Sequence, residues 1–293
     1  MYRPFCKTNL YFDALFIHRP YQIPKLFPTP ESQNLVICVS SIGSNNGMAV
    51  LIADSIPDLH FNGDSQCFPL YYYERNTDMQ PDLFKPQATG EYVRRDAITD
   101  FIFNLCREKY GHKITREDIF YYVYGLLHSP RYKERFAADL KKNLPHLPLV
   151  DSVADFQGFS QAGRQLADLH LHYESVEPYG GLDITGLEHN DFRVEKMRFA
   201  DKDVKDAIVF NRHIRIAGIP LAAYDYVVNG KSAIEWIMER YQVTQHKDSQ
   251  IVNDPNQWLD GSEPRYIFDL LLKIIRVSLD TMAIVKQLPP LNI

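Results

Sequence analysis

Short apolar runs broken by turn-forming clusters dominate the first ninety residues of the chain. Residues 10–12, 35–40, 48–53 and 67–73 are strand-sized, and Pro or Gly-Ser-Asn clusters separate them. Between the second and third runs a polar stretch closes on Asn46-Gly47, a pair that favours positive φ. The pattern therefore predicts a hairpin whose loop includes residues 41–46. From about Glu91 the period lengthens: Ile98, Phe101, Ile102, Leu105 and Cys106 follow the i, i+3, i+4, i+7 spacing of an amphipathic helix. Thr115, with Asp118 three residues on, predicts a capped helix through 119–124. Ser129-Pro130 restarts the chain into a helix over 131–142, stopped by Pro145 and Pro148, and a further helix is predicted from Ser152 to about Tyr173. Gly180-Gly181 and Gly186 mark a loop and a subdomain boundary. Beyond it, 192–199, 207–210 and 213–217 alternate like a short antiparallel sheet, and helices are predicted near 232–241 and 264–288. The expected fold class is α+β: a β-rich N-terminal part (1–90), a helical middle (91–180), and a small antiparallel sheet with closing helices (181–293).

Composition narrows the class. The 293 residues are 45% hydrophobic with a net charge of only −5, which suits a globular chain and not a disordered one. The longest apolar stretches are strand-sized, so no membrane span is expected, and Met1–Phe5 lack the apolar core of an export signal. Cys6, Cys38, Cys67 and Cys106 lie far apart with no CxxC pair. They read as reduced thiols in a cytoplasmic protein, not as a zinc knuckle. A sequence pI near 6.1 argues against a generic polyanion binder. The charge is uneven, however. Residues 93–142 hold eleven Lys and Arg against seven Asp and Glu, so a basic middle sits inside an otherwise acidic chain.

Catalytic motifs fail on spacing. Gly230-Lys231-Ser232 copies the end of a phosphate-binding P-loop, but Asp225 sits where that loop needs its first glycine. The segment reads instead as a turn in which Ser232 caps the next helix. The tetrapeptide that holds a flipped adenine is matched by neither Asn253-Asp254-Pro255 nor Leu288-Pro289-Pro290-Leu291. Pro57-Asp58 and Pro81-Asp82 lack the strand-borne acid-x-Lys of a metal-dependent nuclease, since Asp139-Leu140-Lys141 falls in a predicted helix. His170 and His172 end a helical pattern beside Asp168, so a solvated or capping role is expected; His60 reads as a lone loop histidine. No Gly-x-Ser-x-Gly elbow occurs. No catalytic set, metal site or bound cofactor is expected within these residues.

Several blocks resemble one family. Tyr2-Arg3-Pro4-Phe5 with Leu10-Tyr11-Phe12 is similar to the segment that follows the catalytic motifs in DNA adenine methyltransferases fused to restriction enzymes. Residues 56–60 and 66–71 look like its continuation, and 117–130, 193–199 and 224–236 are more specific. Together they resemble the C-terminal specificity region of type ISP restriction–modification enzymes, single chains with type I-like activities. The resemblance implies a non-catalytic module that reads duplex DNA, with 1–90 as a candidate end of the methyltransferase fold and 181–293 as the target-reading part. S-adenosylmethionine, ATP and Mg would serve the methyltransferase and translocase domains upstream, which are the implied protein partners. A rival reading is a module that docks the methyltransferase onto the rest of the enzyme, favoured by the acidic net charge. A stand-alone hydrolase is the third reading, weakened by the failed motifs.

A target reader needs cations on phosphates for position and base-edge contacts for sequence. Arg131, Lys133, Arg135, Lys141 and Lys142 are the densest basic cluster and the expected phosphate contacts, against the alternative of a solvated helix face. Arg or Lys suits guanine, and Asn or Gln suits adenine. The hairpin loop offers Ser41, Ser44, Asn45 and Asn46, while the small C-terminal sheet offers Arg193, Lys196, Arg198, Asn211 and Arg212, with Arg215 beyond. Arg193 and Glu195 share a strand face, and the alternative for them is an ion pair of little worth at a surface. Lys231 lies at a helix start, where a phosphate contact and a plain turn-plus-cap are both open. The rings of 71–73 and 120–124 are expected in the core and not as stacking surfaces.

Overall fold

The computed structural model describes residues 1–13, 15–44, 46–76 and 91–293, with the side chains of 258–260 set aside. The chain folds as two compact units. The first holds Met1–Tyr2, Lys7–Ala167 and Leu288–Ile293; the second holds Arg3–Cys6 and Asp168–Gln287.

The first unit begins with a single helical turn, α1 (Ile23–Leu26), and a three-stranded antiparallel sheet. Its strands are β1 (Val36–Val39), β2 (Val50–Ala53) and β3 (Gln66–Pro69), in the order β2-β1-β3. Every residue of β1 and β2 is buried, which is why these runs are continuously apolar and do not alternate. The predicted strand over 67–73 is in fact two. After Leu70 the chain leaves β3 and enters β4 (Tyr71–Arg75), which pairs with β5 (Tyr92–Asp96) in a separate ribbon. Asn34 fixes the break. Its buried amide donates to the carbonyls of Leu26 (3.0 Å) and Tyr71 (2.7 Å), and its Oδ1 accepts from the Tyr71 N–H (3.1 Å). Residues 10–12 form no strand; Leu10 and Tyr11 are exposed, so the run buries nothing that pairing would stabilise.

The helices α2 (Asp100–Tyr110), α3 (Arg116–His128), α4 (Pro130–Arg135), α5 (Ala137–Leu140) and α6 (Val153–Leu171) follow. Thr115 and Asp118 form the reciprocal capping box at the start of α3. The predicted helix over 131–142 is broken at Phe136 into α4 and α5. Tyr132 explains the break: its fully buried ring and its hydroxyl bond to the His146 carbonyl (2.8 Å) tie the first turn inward, while α5 buries no residue. Phe120, Tyr122 and Tyr124 are core, as their helical pattern requires. Tyr110 and Tyr122 stack on Phe156 of α6 at 4.3 and 4.8 Å between ring centres. Two glycines let α3 and α6 meet backbone to backbone: a Cβ built on Gly163 would lie 1.9 Å from the Tyr121 carbonyl oxygen, and one on Gly125 would lie 2.2 Å from that of Phe159.

In the second unit, β6 (Asp183–Thr185), β7 (Arg198–Phe199), β8 (Ile208–Val209) and β9 (Arg215–Ala217) form an antiparallel sheet in the order β6-β9-β8-β7. The strand expected over 192–199 shrinks to its last two residues, because Arg193 and Val194 are held by side chains of Asp254 and Asn256 and not by a neighbouring strand. A tight hairpin, β10 (Val227–Val228) and β11 (Lys231–Ser232), leads into α7 (Ala233–Arg240), where Ser232 and Glu235 form a second capping box. A ribbon of β12 (Thr244–Gln245) and β13 (Val252–Asn253) precedes the long α8 (Tyr266–Lys286), whose Phe268 meets Phe210 edge-on at 5.4 Å. His170 departs from the solvated or capping role expected of it. It is 2% exposed, stacks on Tyr226, and its Nε2 lies 3.0 Å from the Thr281 hydroxyl. Burial of the last turn of α6 decides this, while exposed His172 pairs with Asp168 at 2.8 Å.

Both capping boxes end on helices that carry core residues. Thr115→Ala and Ser232→Ala are each expected to cost about 1 kcal/mol, read as a lower urea midpoint at unchanged slope. A shift within error for either would mean that its helix start is held by packing and not by the cap.

Candidate nucleic-acid interface

The connection from β1 to β2 is shaped by its own hydrogen bonds. Ser40 closes the neck: its N–H donates to the Ala49 carbonyl (2.9 Å), and its hydroxyl accepts from the Ala49 N–H (3.0 Å). Within the loop, Ser44 N–H donates to the Ser41 carbonyl (3.3 Å) and Gly47 N–H to that of Ser44 (3.1 Å). Gly43 and Gly47 both sit at φ 76°, a conformation the Gly-Ser-Asn composition supplies at little strain. Asn45 lies outside the described residues.

This loop forms one wall of a groove of about 290 Å³ whose other wall is α4, α5 and the turn that follows. Ser41, Ser44 and Asn46 line it from one side, Lys133 and Lys141 from the other. Two groups of candidates some ninety positions apart in the sequence therefore converge on one site. Two lysines and no carboxylate line the groove. Burial lowers the ammonium of Lys133 to a pKa of about 8. Behind it, burial first and the Lys133 charge second hold the imidazole of His128 down at about 3. Its Nδ1 lies 2.8 Å from the Tyr124 carbonyl oxygen, which can only accept, so Nδ1 carries the proton of a neutral ring. Arg131, Arg135 and Lys142 are exposed on the same helical stretch but do not line the groove.

In the second unit the candidates divide. Arg193 is bound by Glu195 (3.0 Å), the ion-pair alternative seen in the sequence, and also by Asp254 (2.9 Å), which chiefly raises its pKa. Asn211 is spent on its own turn. Its amide donates to the carbonyls of Asp191 (2.8 Å) and Arg193 (3.0 Å), and its Oδ1 accepts from the N–H groups of His213 and Ile214. Arg212 reaches Asp191 at 3.3 Å, and Lys231 pairs with Glu239. These four are engaged within the chain, Arg193 and Arg212 by acids distant in sequence, Lys231 by the helix that follows it and Asn211 by its own turn, which a count of base-reading residue types does not register.

Lys196 and Arg198 differ: both are exposed, and neither has an ion-pair partner among the described residues. Strand register adds Arg215. Arg198 faces Val209, Val209 faces Arg215, and Arg215 faces Thr185. Residues directly opposite share a sheet face, so two exposed arginines flank Val209 about 10 Å apart, at two strand spacings. The alternate row, Phe199, Ile208, Ile216 and Ile184, forms the other face, on which Ile208 and Ile216 are fully buried. Arg215 also has no ion-pair partner among the described residues. Sequence reasoning placed both arginines near the sheet but missed their alignment, since register is not visible over a separation of seventeen positions.

Groove and sheet face share one feature: cations with no ion-pair partner among the described residues, beside side-chain hydroxyls, although exposed Asp183 shares the sheet face with Arg215. That is the equipment of a module that recognises an anion. The chain belongs to the Type ISP C-terminal specificity domain family, whose model matches residues 1–270. It is 37% identical to a chain of the ATP-dependent Type ISP restriction-modification enzyme LlaBIII bound to DNA, with a TM-score of 0.88 over 100% of this chain and 18% of that one. A nuclease-deletion mutant of the Type ISP enzyme LlaGI, in complex with a DNA substrate mimic, is likewise 37% identical, with a TM-score of 0.83 over 100% and 21%. A DrdV–DNA complex is 30% identical, with a TM-score of 0.82 over 100% and 28%. The chain thus spans between about a fifth and just over a quarter of the length of these solved chains. No curated protein sequence matches it. Among the described residues no helix is long and apolar enough to cross a membrane, and no three His, Cys, Asp or Glu side chains are grouped to hold a metal.

Proposed function

We propose that this domain reads the duplex-DNA target of a Type ISP restriction–modification enzyme. The row of exposed Arg198, Arg215 and Thr185 with half-buried Val209 carries the reading. An arginine can bond a guanine edge with two parallel hydrogen bonds, and a valine beside it suits a thymine methyl group. Unlike Arg193, Arg212 and Lys231, these two guanidinium groups have no ion pair to break before doing this. The solved relatives are DNA complexes, which supports the same partner here. Adenine methylation with S-adenosylmethionine, ATP-driven translocation and cleavage belong on this reading to other parts of a cytoplasmic polypeptide.

The test is a ratio. A preferred duplex is first selected from a random pool, and affinities for it and for random duplex are then compared at one salt concentration. Arg198→Ala and Arg215→Ala are each expected to cost about 1–3 kcal/mol on the selected duplex and little on random DNA. Equal weakening on both would make them phosphate contacts. If no sequence is enriched from the pool, target reading by this chain is wrong.

A second reading rests on a different surface. Tyr11, Leu15 and Phe16 are 74%, 89% and 76% exposed, and the rings of Tyr11 and Phe16 meet at 5.9 Å. Such an apolar segment suits docking against another domain of the same enzyme, and it coexists with DNA recognition.

A further inference from the structure

We propose that the groove between the β1–β2 loop and α4–α5 is a preformed slot for one backbone phosphate of a DNA duplex, with Lys133 as its anchoring charge. The proposal rests on the DNA-recognition reading above and adds a position, a residue and a pH dependence to it. Three observations carry it. The groove is lined by two lysines and by no acid. No carboxylate among the described residues lies within ion-pair distance of Lys133, although Glu134 and Asp139 are near it in sequence and both are exposed. The facing wall offers the hydroxyls of Ser41 and Ser44 and the amide of Asn46, groups that can donate to a phosphate oxygen once a cation has neutralised it.

A half-buried ammonium with no counter-ion carries a desolvation cost. Such a group either loses its proton or acquires an anion. Arg131, Arg135 and Lys142 face water and carry no such requirement. The surroundings of Lys133 leave the anion as its remaining partner. The β1–β2 wall contains no ionisable side chain; α3 contributes His128, neutral at any pH above about 3; and the turn after α5 contributes Lys141, a second cation. A phosphodiester entering the slot meets two positive charges. Its own charge then favours the protonated form of Lys133 over the neutral one.

Protonation therefore becomes part of binding. Below pH 8 Lys133 is charged before DNA arrives, and above it a proton must be taken up as the complex forms. Affinity for any duplex should fall by up to about tenfold per pH unit above 8, a range in which ordinary lysines stay charged. Other groups of the chain also change charge with pH, so the informative comparison is with arginine, which stays protonated throughout.

Affinities of the full chain for a random-sequence duplex are measured at constant ionic strength from pH 7 to pH 9. Lys133→Arg is expected to match the wild type at pH 7 and to lose most of the decline toward pH 9. Lys133→Met is expected to bind about tenfold more weakly at pH 7, with a shallower salt dependence. Wild-type pH dependence persisting in Lys133→Arg, or wild-type affinity in Lys133→Met, overturns the slot while leaving DNA recognition standing. Absence of duplex binding by the wild type at every pH overturns DNA recognition, and the slot with it. Should Lys133→Met fail to fold, NMR of 13C-methylated lysines reads the same property directly. The Lys133 signal is expected to titrate near 8 in the free chain and higher in the complex; an unmoved titration overturns the proposal.

Discussion

Gly163→Ala is expected to destabilise the first unit by about 3 kcal/mol, although alanine is the better helix former. At an exposed helix interior the same change would stabilise by roughly 1 kcal/mol. Here the added methyl group would sit 1.9 Å from the Tyr121 carbonyl oxygen and 2.9 Å from the Gly125 nitrogen. Both are backbone atoms, so relief requires α3 and α6 to separate, which also loosens the stack of Tyr110 and Tyr122 on Phe156. Overpacking of this kind costs about 1–3 kcal/mol or more, enough to reverse the propensity gain. Gly158→Ala on the same helix is the control. Its methyl group meets only the Pro289 side chain, nearest at 2.6 Å, so a change under about 1 kcal/mol is expected. Urea midpoints of the two variants decide the matter; equal midpoints would mean that the helices cross less closely than described.

The second large effect is on acid stability. Histidine in an unfolded chain takes up a proton near pH 6.5, whereas burial holds folded His128 neutral down to about 3. The folded-state value is the lower one, so its contribution is complete above pH 6.5 and is lost as the pH falls, because the unfolded chain binds a proton that the folded chain refuses. Over the whole interval the loss is on the order of 5 kcal/mol. Between pH 6.5 and 5 most carboxylates remain ionised, and comparison with a variant at this position subtracts the other histidines. His128→Phe keeps a ring beside Tyr124 and forfeits the bond to its carbonyl. The variant should start less stable and should lose about 1 kcal/mol less than the wild type on acidification from pH 6 to 5. Parallel stability curves across that range would show that His128 is protonated in the folded chain.

Local grammar made much of the fold legible. The capping boxes at Thr115 and Ser232 and the hairpin before Ala49 act within a few residues, where sequence and structure are in direct correspondence; the spacing from Ile98 marks the helix α2, although Phe101, Ile102 and Leu105 of its stripe are exposed. What escaped depends on partners distant in the chain. The break between β3 and β4 needs Asn34, thirty-seven positions before Tyr71; the burial of His170 needs Thr281; the contact of α3 with α6 needs two glycines that look unremarkable singly. The candidate site follows the same division. Residue types pointed to a basic middle, but the convergence of Ser41 with Lys133, the alignment of Arg198 with Arg215 and the capture of Arg193 by Asp254 are long-range facts.

The chain passes between its two units four times, because Arg3–Cys6 and Asp168–Gln287 are counted in one and everything around them in the other. Phe5 illustrates what this entails. Its ring is 1% exposed and meets His170, Tyr173 and Tyr226 at 6.3, 5.4 and 6.1 Å. Exchange of recognition surfaces between relatives, whether by recombination or in the laboratory, therefore has no single clean breakpoint. A chimera joined only at residue 167 would pair one parent's Phe5 with the other parent's aromatic pocket. It would also separate residues 288–293 from the unit in which Asn292 accepts the Asp151 N–H. If the β6–β9 sheet reads the target, as proposed, a new specificity should transfer intact only when the donor supplies 168–287 together with 3–6, leaving both termini to the recipient.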